Sequence, residues 1–129
     1  MKIPELFKTS RDPHRTSKQT AGNKAENIAL VLLQKNGFTL VERNYRCRTG
    51  EIDLIMQKQH TLVFVEVRYR TNTQYGSALE TVTASKQKKI RSAAQHYLIE
   101  KKPSANLTLR FDVVGISGNE TQWIQGAFY

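Results

Sequence analysis

Residues 50–70 read GEIDLIMQKQHTLVFVEVRYR. Two apolar runs flank a polar connection at 57–60, and each run carries a carboxylate where a half-buried strand normally carries an apolar side chain. Side chains of a strand alternate between faces, so the spacing predicts Glu51, Asp53 and Ile55 on one side and Ile52, Leu54 and Met56 on the other. In the second run Leu62, Phe64, Glu66 and Arg68 share a face, and Val63, Val65 and Val67 take the opposite one. A buried carboxylate with no partner costs several kcal/mol. Asp53 and Glu66 therefore call for a cation, either a metal ion or the neighbouring guanidinium of Arg68. Hairpin register decides whether they can share one. With Asp53 across from Glu66 or Phe64 the carboxylates lie on one face, whereas a slip of one residue separates them.

The rest of the chain bounds what such a pair would act on. A length of 129 residues predicts one domain with a single core. Lys and Arg number 20 against 11 Asp and Glu, a formal net charge of +9. Such an excess attracts polyanions, nucleic acid first, although an anionic membrane surface would feel the same field. Cys47 is the only cysteine, which excludes an internal disulfide and a cysteine-based zinc cluster and fits a reducing, cytoplasmic setting. No run approaches the roughly 18 apolar residues of a membrane span, and the start lacks the apolar core of a secretory signal. The expectation is a soluble protein with no membrane partner.

Residues 1–19 are polar and basic and read as a flexible arm, with the folded domain over 20–129. Thr20 or Asn23 is a candidate cap for a first helix with Ala25, Ile28, Ala29, Leu32 and Leu33 on its apolar stripe, ending at Asn36-Gly37. Glu26 sits at the edge of that stripe, either as a solvated acid near a helix start or as a further carboxylate for the site. Phe38 to Tyr45 reads as the first strand, and Arg43, Arg46 and Arg48 form either a phosphate-facing cluster or a solvated loop. Beyond Arg70, residues 71–76 read as a mobile loop able to close over a substrate. Thr83 precedes a second helix with Ile90, Ala93, Ala94, Tyr97 and Leu98 on its stripe and Pro103 at its end. Lys86, Lys88, Lys89 and Arg91 make its first half basic. Leu107 to Ile116 and Gln122 to Ile124 read as the last strands. His14, His60 and His96 lack metal-ligand spacing and read as surface residues.

Oxygen ligands alone suit a hard cation, Mg²⁺ or Mn²⁺, rather than zinc. A metal there would stabilise charge on a scissile phosphate and acidify a water, which phosphodiester hydrolysis requires.

The order helix-Glu, strand-Asp, strand-Glu-x-basic and basic helix resembles the PD-(D/E)xK nuclease superfamily. More closely, GEIDLI followed by VFVEVR-x-R, with AGNKAENIA upstream and RFDVV downstream, is similar to the YraN family of largely uncharacterised bacterial proteins, over about residues 22–128. The resemblance implies an α/β fold of restriction-endonuclease type, a central mixed β-sheet flanked by helices. It further implies Asp53, Glu66 and the Val67 carbonyl as metal ligands and Glu26 as an additional acid. Arg68 stands where the superfamily usually has Lys, and Ile52 replaces the Pro of its name. Arg is competent to stabilise charge but is a poor base, because it stays protonated.

The function expected is a metal-dependent endodeoxyribonuclease, with DNA favoured over RNA and branched DNA as a candidate substrate for a homodimer. Arg43, Arg46, Arg48, Arg70, Lys86, Lys88, Lys89 and Arg91 are the expected nucleic-acid contacts. The alternatives are a nuclease-fold protein that binds nucleic acid without cutting it, and a basic protein-interaction module.

Overall fold

The computed structural model describes residues 17–70 and 78–129, with side chains from residue 22. Most of the basic arm and the loop over 71–76 lie outside the described residues. Helix α1 spans Ser17–Lys35. Strands β1 (Thr39–Cys47), β2 (Gly50–Lys58) and β3 (Thr61–Tyr69) follow as a meander. A 3-10 turn over Ala78–Thr81 leads into α2 (Ala84–Lys101), and β4 (Thr108–Ser117) and β5 (Glu120–Phe128) complete the chain.

The five strands form one sheet in the order β1-β2-β3-β4-β5. β3 and β4 run parallel and every other neighbouring pair antiparallel, so the sheet is mixed. Antiparallel neighbours need only short turns, and Gln59-His60 closes the β2–β3 hairpin with Gln59 at φ 54°. The parallel pair needs a crossover, which α2 supplies.

Each face of the sheet is covered by one helix. α2 packs Ile90, Ala93, Ala94 and Tyr97 against Ile52, Ile55, Leu62, Phe64 and Val113. α1 packs Ala25, Ala29 and Leu33 against Leu54, Met56, Val63, Val65 and Val114. The α/β architecture with a central mixed sheet flanked by helices is the one expected.

Four local expectations are corrected. α1 starts at Ser17, so Thr20 and Asn23 lie inside it and do not cap it. Its buried line is Ala25-Ala29-Leu33, four residues apart, while Ile28 is 45% exposed and belongs to an outward stripe with Val31. Strand alternation is not kept through β2: Ile52 packs with Ile55 on the α2 side, and Leu54 and Met56 pack on the α1 side. The face changes at Asp53, beside Asn44 of β1, whose φ of 55° locally turns that strand.

β5 is also much longer than Gln122 to Ile124, because tertiary contacts hold a mostly polar segment in the sheet. Asp112 of β4 is fully buried. It accepts two hydrogen bonds from Arg110, at 2.8 and 2.9 Å, and one each from Trp123 Nε1 at 2.8 Å and the Gly126 N–H at 3.0 Å. Three groups thus satisfy the carboxylate and tie β5 to β4. In contrast, Thr83 caps α2 as expected, its Oγ1 accepting from the Lys86 N–H at 3.1 Å.

Candidate metal and nucleic-acid site

The β2–β3 ladder ends at the pair Leu54 and Val65. One step further, Asp53 lies across from Glu66, the register that brings the carboxylates together. In place of a strand carbonyl, Asp53 Oδ2 accepts the Val67 N–H at 2.8 Å. Val67 thus enters the site through its N–H, which orients the aspartate. Both carboxylates are buried, Asp53 at 9% and Glu66 at 3% exposure. Burial first, then the charge of Glu66, pushes the Asp53 carboxyl up to about 8, against the opposing pull of the Val67 N–H. Burial beside a second carboxylate thus disfavours the ionised form of Asp53 where no cation is bound.

Glu66 shows what such a cation would satisfy. Its Oε2 lies 3.5 Å from Arg68 Nη1 and 3.6 Å from Lys86 Nζ. Its Oε1 is buried with no hydrogen-bond partner, an arrangement that normally costs about 1–3 kcal/mol. An orphaned carboxylate oxygen beside a second carboxylate fits a hard, oxygen-seeking ion. Among the described residues no group of three or more His, Cys, Asp or Glu side chains converges to hold a metal. Asp53 and Glu66 would be the chain's share of such a site, and water and phosphate oxygens would have to complete the shell, as Mg²⁺ commonly requires.

Glu26 reaches toward this pair from α1. It is raised above the usual carboxylate range by burial and then by the charge of Asp53. Arg43 Nε, at 3.2 Å from Glu26 Oε1, opposes that shift. Arg43 also points a weak contact at the Asn23 carbonyl, 3.5 Å away. The structure thus puts Arg43 beneath α1 as the partner of Glu26, apart from the other basic residues.

Arg68 is held from its other end. Its Nε donates to Thr81 Oγ1 at 3.1 Å, and that hydroxyl donates to the Ala78 carbonyl at 2.6 Å. Sequence reasoning missed Thr81. A threonine in a polar stretch carries no signal of its own, and the role exists only because the 3-10 turn packs beside β3.

A basic cavity of about 410 Å³ is lined by residues 46–51 together with Lys86 and Lys89, and Lys86 links it to Glu66. Four of the expected contacts, Arg46, Arg48, Lys86 and Lys89, meet there. Arg46 also pairs with Glu51 at 2.9 Å. Gly50 lets the β1–β2 turn touch α2, since a Cβ at that position would lie 2.5 Å from the Lys89 carbonyl oxygen. Lys88 and Arg91 lie on the same helix outside this cavity, and Arg91 Nη1 donates to the Tyr129 carbonyl at 3.1 Å. The Arg70 N–H donates to the Ile116 carbonyl at 2.9 Å, so its backbone continues the β3–β4 pairing. His60 and His96 are exposed as expected, although His96 Nδ1 shares a 2.7 Å hydrogen bond with the Tyr45 hydroxyl.

Fold and site together define a small α/β protein with a mixed five-stranded sheet and a buried carboxylate pair at the open end of its central hairpin. The chain belongs to the uncharacterised protein family UPF0102, whose model matches residues 25–116 and which is the YraN grouping the GEIDLI and VFVEVR motifs pointed to. It is 52% identical over 107 residues to a UPF0102 protein of Saccharophagus degradans, covering 83% of this chain and 91% of the relative. A UPF0102 protein of Nitrosomonas eutropha is 49% identical over 114 residues, covering 88% and 97%. UPF0102 protein lpg2994 of Legionella pneumophila is 46% identical over 112 residues, covering 85% and 95%. Among the described residues no helix is long and apolar enough to cross a membrane.

Proposed function

We propose that this protein is a metal-dependent endonuclease that hydrolyses phosphodiester bonds in DNA. The observation that carries the reading is the buried Asp53–Glu66 pair, which leaves Glu66 Oε1 without a partner and is linked through Lys86 to a cavity lined by Arg46, Arg48, Lys86 and Lys89. Asp53 and Glu66 would hold Mg²⁺ or Mn²⁺, which supplies charge neutralisation at the phosphate and an acidified water. Glu26, paired with Arg43 at 3.2 Å, stands behind Asp53 as a further carboxylate from α1. Arg68, anchored by Thr81, presents a fixed positive charge beside Glu66 where a phosphate would lie. The cavity receives the flanking phosphates of the strand, and the net charge of +9 draws the polyanion in.

A second reading, nucleic-acid binding without turnover, is favoured by Arg68 itself. A guanidinium stabilises charge but does not exchange protons near neutral pH. Incubating the protein with Mg²⁺ or Mn²⁺ and labelled duplex, single-stranded and branched DNA, and with RNA, separates the two. Metal-dependent cleavage that Asp53→Asn abolishes supports the nuclease, with the substrate preference read from the same gel. Salt-sensitive binding without cleavage selects the second reading. Neither binding nor cleavage overturns both and leaves a protein-interaction module.

A further inference from the structure

The two cations on Glu66 Oε2 differ in what else holds them. Arg68 is tied through Nε to Thr81, and through Thr81 to the 3-10 turn. Lys86 has only its backbone fixed, by the Thr83 cap. Among the described residues its ammonium makes a single ion pair, the one to Glu66, and 3.6 Å is longer than a hydrogen bond. The same side chain lines the basic cavity with Arg46, Arg48 and Lys89. A lysine stem of four carbons can swing from Glu66 to an anion held in that cavity, whereas a guanidinium held at both ends cannot.

We infer that Lys86 is an exchangeable counter-ion, paired with Glu66 while the carboxylate site carries no metal and transferred to a nucleic-acid phosphate in the adjoining cavity once a divalent cation binds. This rests on the metal-dependent nucleic-acid reading above. The driving force is electrostatic. A divalent charge on Asp53 and Glu66 repels the neighbouring ammonium, and of the two cations only the untethered one is able to leave. Metal and nucleic acid then favour the same position of Lys86, so each tightens the other, and linkage makes the two enhancements equal.

The test is equilibrium binding, independent of turnover. Ca²⁺, a hard cation that takes oxygen ligands, is titrated by calorimetry with and without a DNA duplex, and duplex affinity is measured with and without Ca²⁺. Wild type, Lys86→Gln and Lys89→Gln are compared, since Lys89 lines the cavity but makes no contact with Glu66. Lys86→Gln is expected to bind Ca²⁺ several-fold more tightly than wild type without DNA, having lost the competing charge. It is also expected to lose most of the enhancement that Ca²⁺ gives to DNA binding. Lys89→Gln weakens DNA binding by the same factor with and without Ca²⁺ and leaves the enhancement intact. Equal enhancement in all three proteins, or a Lys86→Gln protein that behaves as Lys89→Gln does, overturns the exchange while leaving the nuclease reading in place. A wild type that binds no Ca²⁺ even with DNA removes the metal site, and the exchange with it.

Discussion

Asp53 and Glu66 face each other one step past the last pair of the β2–β3 ladder, and the Val67 N–H closes onto Asp53 Oδ2 at 2.8 Å. The end of backbone pairing thus makes the site: strands still paired there would have no use for a carboxylate as acceptor. Because the aspartate is oriented by the backbone, an isosteric Asn keeps the hydrogen bond and removes the ionisable oxygen that a metal would need. Asp53→Asn should therefore fold normally yet lose Mn²⁺ affinity by about 100-fold or more, at or beyond the upper range seen for altered outer-shell partners. Calorimetry in the presence of DNA gives the number, and unchanged affinity would place the metal elsewhere.

The raised Asp53 carboxyl predicts how stability depends on pH. Its folded value is about 8 and its ordinary value 3.8, so the metal-free native state holds more protons than the unfolded chain between those limits. Stability contributed by the protonated form is present below about pH 4 and is lost as pH rises toward and through 8, on the order of a few kcal/mol. The raised Glu26 acts in the same direction. Thermal melts from pH 5 to 9 should show this decline in wild type and a clearly shallower one in Asp53→Asn. With saturating Mn²⁺, which needs the ionised pair, the decline should flatten or reverse.

Arg68 and Thr81 should act as a unit. Removing the guanidinium in Arg68→Ala should lower the cleavage rate by about 10²–10³, the usual scale for a preorganised charge. Thr81→Val keeps the arginine but frees its Nε, so its loss should be smaller and the double variant no worse than Arg68→Ala alone. Additive losses in a single-turnover assay would mean that Thr81 acts by another route.

Phosphate contacts are expected at the cavity rather than along the whole basic helix. Arg48→Gln and Lys89→Gln should each lower the slope of log affinity against log salt by about 0.9 for duplex DNA. Lys88→Gln, outside the cavity, should leave that slope unchanged. Filter binding across a salt series distinguishes the two, and an equal effect of Lys88 would widen the surface to the exposed side of α2.

Gly50 tests the contact that brings the β1–β2 turn onto α2. A Cβ placed 2.5 Å from the Lys89 carbonyl oxygen forces backbone apart, so Gly50→Ala should destabilise by about 1–3 kcal/mol, as overpacking does. Urea melts measure it. The same displacement would open the cavity, so weaker DNA binding should accompany the loss.

Much of this molecule was legible in its sequence because the informative signals are local. Apolar period and polar turns placed both helices and β1 to β4, and an acid inside each of two apolar strands marked Asp53 and Glu66, since burial makes a charge there costly wherever the strand lies. What the sequence could not determine depends on partners distant in the chain. β5 is a polar segment held by the buried Asp112, and Arg43, equal on paper to Arg46 and Arg48, lies under α1 against Glu26. Strand alternation predicted Ile52 on the same face as Leu54, but the backbone changes face at Asp53, beside the left-handed Asn44. Only the tertiary structure set Lys86 on Glu66 and Thr81 on Arg68, because ion pairs between a helix and a strand follow from how two packed elements meet, and no spacing along one chain encodes that distance.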